Sequence, residues 1–294
     1  SYLPEIVDKK KIGRISGYGW GLGYCGGLIC MLIAMLAFIS PDDPCFGFSK
    51  DTGSNIRATN LLVGIWFLFF TLPAILFLED KKVHPRKNFS LLLSTSIQEL
   101  KTTFNEIRNY NNTVRFLIAR LIYNDGLITI FAFGAVYAAG TFDFTFNEIM
   151  IFGIVLNVAA GLGALSMGYL DDILGGKRTI QISLIGLIFA TILAVFTESK
   201  SLFWLSGIII GLFAGPNQSA SRSFMGRLTP NDKINEFYGF FAFSGKLTSF
   251  LGPLILGLLT KYFSSQRIGV SVVFFFFFVG LIMISRVKEP ENFN

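Results

Sequence analysis

The sequence predicts an all-α membrane protein, a helical bundle with about eight transmembrane spans. Three observations carry that prediction. Hydrophobic residues make up 52% of the 294-residue chain and charged residues only 15%, where a soluble domain carries about 25% charged. The apolar residues come in continuous runs of roughly 20, enough to cross a hydrocarbon core of ~30 Å as a helix; a barrel strand would instead alternate over about ten residues. The cations are also segregated by loop. With residues 1–15 on the cytoplasmic side, 79–120, 171–178, 222–236 and 286–294 fall there too, and these hold 19 of the 25 Lys and Arg against 5 on the other side. That asymmetry is the positive-inside pattern. It places both ends of the chain in the cytoplasm and accounts for the +6 net charge without nucleic acid.

The expected spans lie near 16–39, 61–78, 117–139, 149–170, 179–197, 202–221, 237–260 and 268–285. Because the chain opens at Ser1 without a signal-peptide pattern, an internal start is expected. In the first span Gly13, Gly17 and Gly21 are four apart, as are Gly19, Gly23 and Gly27. Small residues at that spacing share one face and let another helix approach closely. Gly21, Gly23 and Gly26 also fit the GxGxxG pattern. That dinucleotide fingerprint needs a preceding strand, and Lys9-Lys10-Lys11 ahead of an apolar helix supplies none.

Residues 40–60, with Pro41, Pro44, Gly47 and Gly53, read as an irregular external loop, and Pro73 marks a kink in the second span. The stretch 79–116 is the longest hydrophilic one. Its apolar residues from Phe89 to Ile107 recur at helical spacing and predict an amphipathic helix, either on the membrane surface or as a linker between two halves. Three domains follow: 1–78, the 79–116 linker, and a six-helix unit over 117–294. The Phe-rich eighth span suits a lipid-facing wall. A faint repeat relates Leu3-Pro4-Glu5 and Gly26-Gly27-Leu28-Ile29 to Leu228-Thr229-Pro230 and Gly252-Pro253-Leu254-Ile255.

Metal and cofactor chemistry find no foothold. Cys25, Cys30 and Cys45 have no CxxC spacing, and His84 is the single histidine. No Walker-type GxxxxGK[ST] occurs, and no cofactor is expected.

Polar chemistry concentrates in the turn Gly168–Arg178, where Asp171 and Asp172 precede Gly175-Gly176 and Lys177-Arg178. Either this is a charged turn that holds topology, or it is a latch: a carboxylate against a neighbouring helix N-terminus contributes about 0.3–1 kcal/mol, and up to ~2 when partly buried. Lys246, placed inside the seventh span, is the most unusual residue. A cation there snorkels to the surface, or it faces a cavity, an anionic group or a partner acid such as Asp125. Asn157, Asn217, Gln218 and Arg222 either line a polar path or hold helices together.

Gly168-x-Leu170-x-Asp172-x-x-Gly175-x-Lys177-Arg178 resembles the signature loop of the major facilitator superfamily. Four further stretches resemble its vacuole-effluxer-like branch, relatives of an autophagy-related vacuolar amino-acid exporter: Tyr2-Leu3-Pro4-Glu5, Tyr123-Asn124-Asp125-Gly126, Asn217 to Ser223, and Glu236 through Ser244-Gly245-Lys246 to Pro253. The resemblance implies helices five to twelve of a twelve-helix bundle, with four more upstream and 79–116 as the linker between halves. It implies a latch built on Gly168, Asp172, Gly175, Lys177 and Arg178, with Asp172 set against Gly13–Gly17. It also implies a secondary active transporter that moves a small organic solute, amino acids among the candidates, by alternating access. Lys246, Asp125, Asn157, Asn217, Gln218 and Arg222 are then the substrate-binding or coupling candidates, with the lipid bilayer and a coupling proton at Asp125 as further partners. Ile173, Gly176 and Asp171 depart from the general loop pattern. The alternative is a non-transporting scaffold or sensor that keeps the fold. A membrane-embedded enzyme would need clustered His, Asp, Glu or Cys, which the sequence does not show.

Overall fold

The computed structural model describes residues 3–78, 110–230 and 233–290. Among them every regular element is a helix. In order these are α1 (Leu3–Ile6), α2 (Ile12–Ala34), α3 (Ser54–Phe77), α4 (Asn111–Phe142), α5 (Phe146–Leu174), α6 (Gly176–Phe196), α7 (Lys200–Leu228), α8 (Ile234–Ser244), α9 (Leu251–Phe263) and α10 (Gln266–Ser285). The chain divides into two compact units, Ser1–Tyr24 with Leu100–Asn294, and Cys25–Glu99, so that α2 begins in one and ends in the other.

In the larger unit α7 packs most heavily against α5 and α6, and both α7 and α2 approach α5 through glycine. A Cβ on Gly211 would fall 2.6 Å from the Leu156 carbonyl of α5, and the same atom on Gly215 would strike the Ala160 carbonyl. On another face, a Cβ on Gly17 of α2 would lie 2.6 Å from the Ala164 carbonyl, and one on Gly168 would lie 3.3 Å from the Gly13 carbonyl. The four-residue spacing of small residues thus sets backbone-to-backbone approach on both helices. A capping box starts α5: the Thr145 hydroxyl accepts from Glu148 N–H (3.3 Å) while the Glu148 carboxylate accepts from Thr145 N–H (2.8 Å).

The main core gathers α4, α6, α7, α8 and α10 around Phe116, Tyr123, Leu184, Phe224, Phe237 and Phe277, all buried. A second, aromatic cluster of Tyr137, Phe142, Phe144, Phe152 and Phe203 closes the opposite end of α4. In the smaller unit α2 continues into a π-helical turn, Met35–Ile39, and the Asn55 side-chain amide donates to the Phe38 carbonyl (3.0 Å). Phe67, Phe69, Phe70 and Phe77 of α3 are exposed, as a bilayer permits and water does not.

Six of the described helices are long and apolar enough to cross a membrane: α2 with its π-turn, α3, α4, α5, α6 and α10. The other two expected spans differ from the sequence reading. At 202–221 the helix, α7, is 29 residues long, but Asn217-Gln218-Ser219 and Ser221-Arg222-Ser223 keep it more polar than its neighbours. The expected span 237–260 is broken into α8 and α9 by a run of tight turns over 245–250. There Ser249 N–H donates to the Lys246 carbonyl (3.3 Å) and Leu251 N–H to that of Thr248 (2.7 Å), three-residue turns that interrupt the α-helical ladder. Lys246 therefore sits in a helix break, not in the interior of a continuous helix. The Phe-rich α10 is not a simple outer wall either: Val273, Phe277 and Ile284 are buried while Phe275, Phe278 and Ile282 are exposed, so one face packs and the other meets lipid. Of the expected linker, 79–109 lies outside the described residues and 111–116 opens α4.

Candidate functional site

The turn between α5 and α6 assembles a buried charge network. Asp171 and Asp172 occupy the last turn of α5, and the chain reverses at Gly175, whose φ of 89° and ψ of 156° are reached almost solely by glycine. A Cβ there would also fall 2.6 Å from Glu289 Oε1. Gly175→Ala is therefore expected to lower thermal stability, with a strain of about 1–3 kcal/mol and displacement of Glu289; a melting curve in detergent checks it.

Asp172 does not point into water. Its carboxylate accepts from the backbone N–H groups of Gly13 (2.8 Å) and Arg14 (3.3 Å) and from Arg14 Nε (2.7 Å). Those N–H groups belong to the first turn of α2, which has no partner for them inside the helix. The carboxylate thus caps a helix from which it is separated by about 160 residues of chain, and its own side chain is only 4% exposed. The approach depends on Gly13, because a Cβ at that position would lie 2.5 Å from Asp171 Oδ2 and 2.6 Å from Asp172 Oδ1.

Asp171 turns the other way, to α7. It accepts from Arg227 Nη1 (2.6 Å) and from the Ser223 hydroxyl, and both partners of the ion pair are essentially excluded from solvent. Arg227 Nη2 also reaches the Asp171 carbonyl (3.4 Å) and Asp172 Oδ1 (3.5 Å), so one guanidinium holds both acids apart and in place. Neither Arg227 nor Ser223 stands out in the sequence. The available signal was chemical: two adjacent acids at a packed turn need a buried cation, and Ser223 and Arg227 lie one turn apart on the polar end of α7.

Lys177 and Arg178 do not join this network. Lys177 Nζ donates to the Ser285 carbonyl (2.9 Å) and its N–H to Glu289 Oε2 (3.1 Å), while Arg178 is exposed. Glu289 thereby caps the N-terminus of α6; burial pushes its carboxyl up, and the Lys177 N–H pulls it back. The segment after α10 is further tied to α4 where Asn112 Nδ2 donates to the Lys288 carbonyl (2.7 Å).

The second cluster lies near mid-height of α4. An open pocket of about 630 Å³ is lined by Arg120, Asn124, Ile128 and Phe131 of α4, Gln218 of α7, and Gly245 and Lys246 of the helix break. Arg120 Nη1 donates to the Phe241 carbonyl (2.7 Å) and to Ser244 Oγ (3.0 Å), and its guanidinium lies over the Phe241 ring at 3.6 Å. Asn124 Nδ2 donates to the Gly245 carbonyl (2.8 Å). The break is thus fixed by two side chains of α4, and Lys246 is carried on it.

Of the residues expected near Lys246, Gln218 shares its cavity and the others do not. Asp125 is 2% exposed and packs toward α9, where a Cβ on Gly252 would lie 3.1 Å from its carbonyl. Thr248 faces its carboxylate without reaching hydrogen-bond geometry. The expected Lys246–Asp125 pair does not form: consecutive residues of a helix diverge by about 100°, so Asn124 faces the cavity and Asp125 faces away. Asn217 is fully buried, its Nδ2 donating to Ser183 (2.9 Å), and Asn157 donates to the Gly153 carbonyl of its own helix (2.8 Å). In this structure both make helix-to-helix or intrahelical bonds and neither lines the cavity. Arg222 lies one turn beyond Gln218 on α7 and approaches α2, with Nη2 3.5 Å from a Cβ position on Gly19. Two smaller cavities, of about 50 and 220 Å³, are almost wholly apolar. No cluster of three or more metal-ligating side chains occurs among the described residues.

Long apolar helices, exposed aromatic faces and a polar cavity reached from a helix break define a multi-pass helical membrane protein. Residues 4–292 match the family model described as vacuole effluxer Atg22 like, and the chain belongs to that family. It is 25% identical over 295 residues to the uncharacterized MFS-type transporter YxiO of Bacillus subtilis, covering 99% of this chain and 67% of that protein. It is 26% identical over 284 residues to autophagy-related protein 22-1 of Neosartorya fischeri (88% of this chain, 45% of that one). Against autophagy-related protein 22 of Kluyveromyces lactis it is 25% identical over 299 residues (94% and 58%). The chain thus spans about half the length of the fungal relatives it matches.

Proposed function

We propose that the protein is a secondary active transporter that moves a small organic solute by alternating access, with the α5–α6 turn as latch and the Arg120–Lys246 cavity as solute site. The observation that carries the reading is Asp172 capping the first turn of α2. On the correspondence with helices five to twelve of a twelve-helix bundle, α2 belongs to the first half and α5 to the second. The cap is then a bond between halves. It is strong enough to bias a conformation and weak enough to break in each cycle, about 0.3–2 kcal/mol for a carboxylate at a helix N-terminus. Both ends of the chain and the latch lie on the cytoplasmic side, as the cation count requires. Amino acids are the solute candidates that the family resemblance supplies, and Asp125, buried in α4, is the acid placed to carry a coupling proton.

The site supports the reading in a second way. Transporters place solute near the bilayer midplane against broken helices whose freed backbone groups are available to it. The α8–α9 break beside α4 has that character. The test is solute counterflow in liposomes carrying the protein: saturable exchange of a labelled solute without ATP supports transport, and no flux under any gradient supports the scaffold alternative. Cys introduced at position 246 is expected to react with water-soluble maleimide, and protection by the transported solute would place that solute in the cavity.

A further inference from the structure

We infer that the outer wall formed by α6 and α10 is a binding site for an anionic phospholipid, with the headgroup phosphate held by Arg178 and Arg286. The inference needs only a membrane-spanning bundle and is independent of the transport reading.

The wall follows from helical spacing. On α6 the exposed residues are Arg178, Ile182, Ile185, Phe189, Ile192 and Phe196, three or four apart, so they form one stripe along the helix. The residues between them are buried or half-buried. On α10, Phe275, Phe278 and Ile282 make a second outward stripe. Arg286 continues it four residues on, its backbone still helical and its side chain exposed. Because α10 packs on α6, the two stripes are parts of one apolar surface. Each stripe ends in an arginine.

The contacts at this edge bring the two arginines together. Lys177 Nζ donates to the Ser285 carbonyl (2.9 Å), joining the first turn of α6 to the last of α10. Arg178 and Arg286, the next residue of each, therefore head their stripes at one level. The segment after α10 is pinned at the same edge and adds a third cation. Lys288 N–H donates to Asn112 Oδ1 (2.7 Å) and the Asn112 amide returns a bond to the Lys288 carbonyl (2.7 Å), while the Lys288 side chain is exposed. The Glu289 carboxylate is turned inward instead: Oε2 accepts from Lys177 N–H (3.1 Å) and Oε1 is buried.

This arrangement matches the two parts of a phospholipid. The acyl chains lie along an aliphatic and aromatic wall, and the phosphate meets guanidinium forks that can hold it through two parallel bonds. Basic residues between transmembrane helices at the headgroup level are a recurrent setting for anionic lipids. Charge retained for topology alone would have no reason to sit on the lipid-facing stripe of each helix.

The experiment uses the detergent-purified protein with dioleoylphosphatidylglycerol, dioleoylphosphatidylcholine or inorganic phosphate as probe. Native mass spectrometry counts the retained lipid, and thermal melting reads the stabilisation. Phosphatidylglycerol is expected to be retained and to raise the melting temperature, phosphatidylcholine to be retained several-fold less, and phosphate to leave melting unchanged. Arg178→Gln and Arg286→Gln should each weaken phosphatidylglycerol retention about five-fold, the effect of one cation beside an anionic headgroup. Both side chains are exposed and make no hydrogen bond among the described residues, so without lipid the variants should melt as the parent does. The pair Lys10→Gln and Lys11→Gln removes the same charge from a different loop and should leave retention unchanged. Equal retention of the two lipids, an equal loss in the Lys10 and Lys11 variant, or unchanged retention in the double arginine variant overturns the inference. Stabilisation by inorganic phosphate as strong as that by lipid overturns it too, because the apolar wall would then play no part.

Discussion

Arg227→Met is expected to destabilise the folded protein by about 3–5 kcal/mol, the usual consequence of removing one partner of a buried ion pair. The side chains of Arg227 and Asp171 are 2% and 1% exposed, so the Asp171 carboxylate would be stranded away from water with only the Ser223 hydroxyl to answer it. The same substitution frees the Asp171 carbonyl and removes a second cation from Asp172. Thermal melting of the detergent-solubilised protein should shift down sharply, and less protein should reach the membrane. Arg227→Lys should fall between, because one ammonium cannot span Nη1 and Nη2 contacts to two acids and a carbonyl at once. Pairing Arg227→Met with Asp171→Asn should recover much of the loss, since the penalty comes from the orphaned charge. A single substitution as stable as the parent would show that water reaches Asp171 and that the network is not sealed.

The two charge clusters differ in how far they could be read from sequence. The four-residue spacing of Gly13 and Gly17, and of Ala164 and Gly168, announces a close helix crossing, because the spacing repeats the helical turn itself. Asp172 is legible through the loop pattern and through its place just after that crossing. Asp171 and Arg227 are 56 residues apart, and nothing local links them. Arg227 looks like one more cation at a membrane edge until α7 folds beside α5. Arg120 is hidden for the same reason: as a cation following a hydrophilic stretch it joins the topology count, whereas the helix begins at Asn111 and carries it inward. The α8–α9 break does leave a local signal: Ser244-Gly245-Lys246-Leu247-Thr248-Ser249, with Pro253 shortly after, is a polar, helix-weakening run inside an otherwise apolar stretch. Arg120 and Asn124 then engage the Phe241 and Gly245 carbonyls from another helix. A tertiary contact thus fixes a break at which local propensity is already weak.

Asp172→Asn is expected to reduce transport roughly ten-fold while leaving membrane expression nearly unchanged, because the cap contributes at most ~2 kcal/mol and 1.4 kcal/mol corresponds to ten-fold in an equilibrium. An asparagine keeps one oxygen for the Gly13 N–H, but its amide hydrogens then face the Arg14 N–H and guanidinium, donor against donor. The charge that favours the positive end of α2 is lost as well. If α2 and α5 belong to opposite halves, the population moves toward the state in which they have separated, and the cycle slows because one of its two closures has weakened. A structural reporter is available on α2. Ser16 is fully buried and its hydroxyl donates to the Ser219 carbonyl (2.9 Å). A cysteine there, with Cys25, Cys30 and Cys45 replaced, should react with maleimide faster when Asp172 is Asn. Arg14→Gln should act on the same contact, so the double substitution should slow transport by less than the product of the single effects. Asp171 supplies the contrast: it is bonded to α7 and not to α2, so its loss should appear as instability and not as faster labelling of position 16. Unchanged flux and unchanged labelling in Asp172→Asn would reduce the turn to a marker of topology, its cap a static joint between two helices that never part.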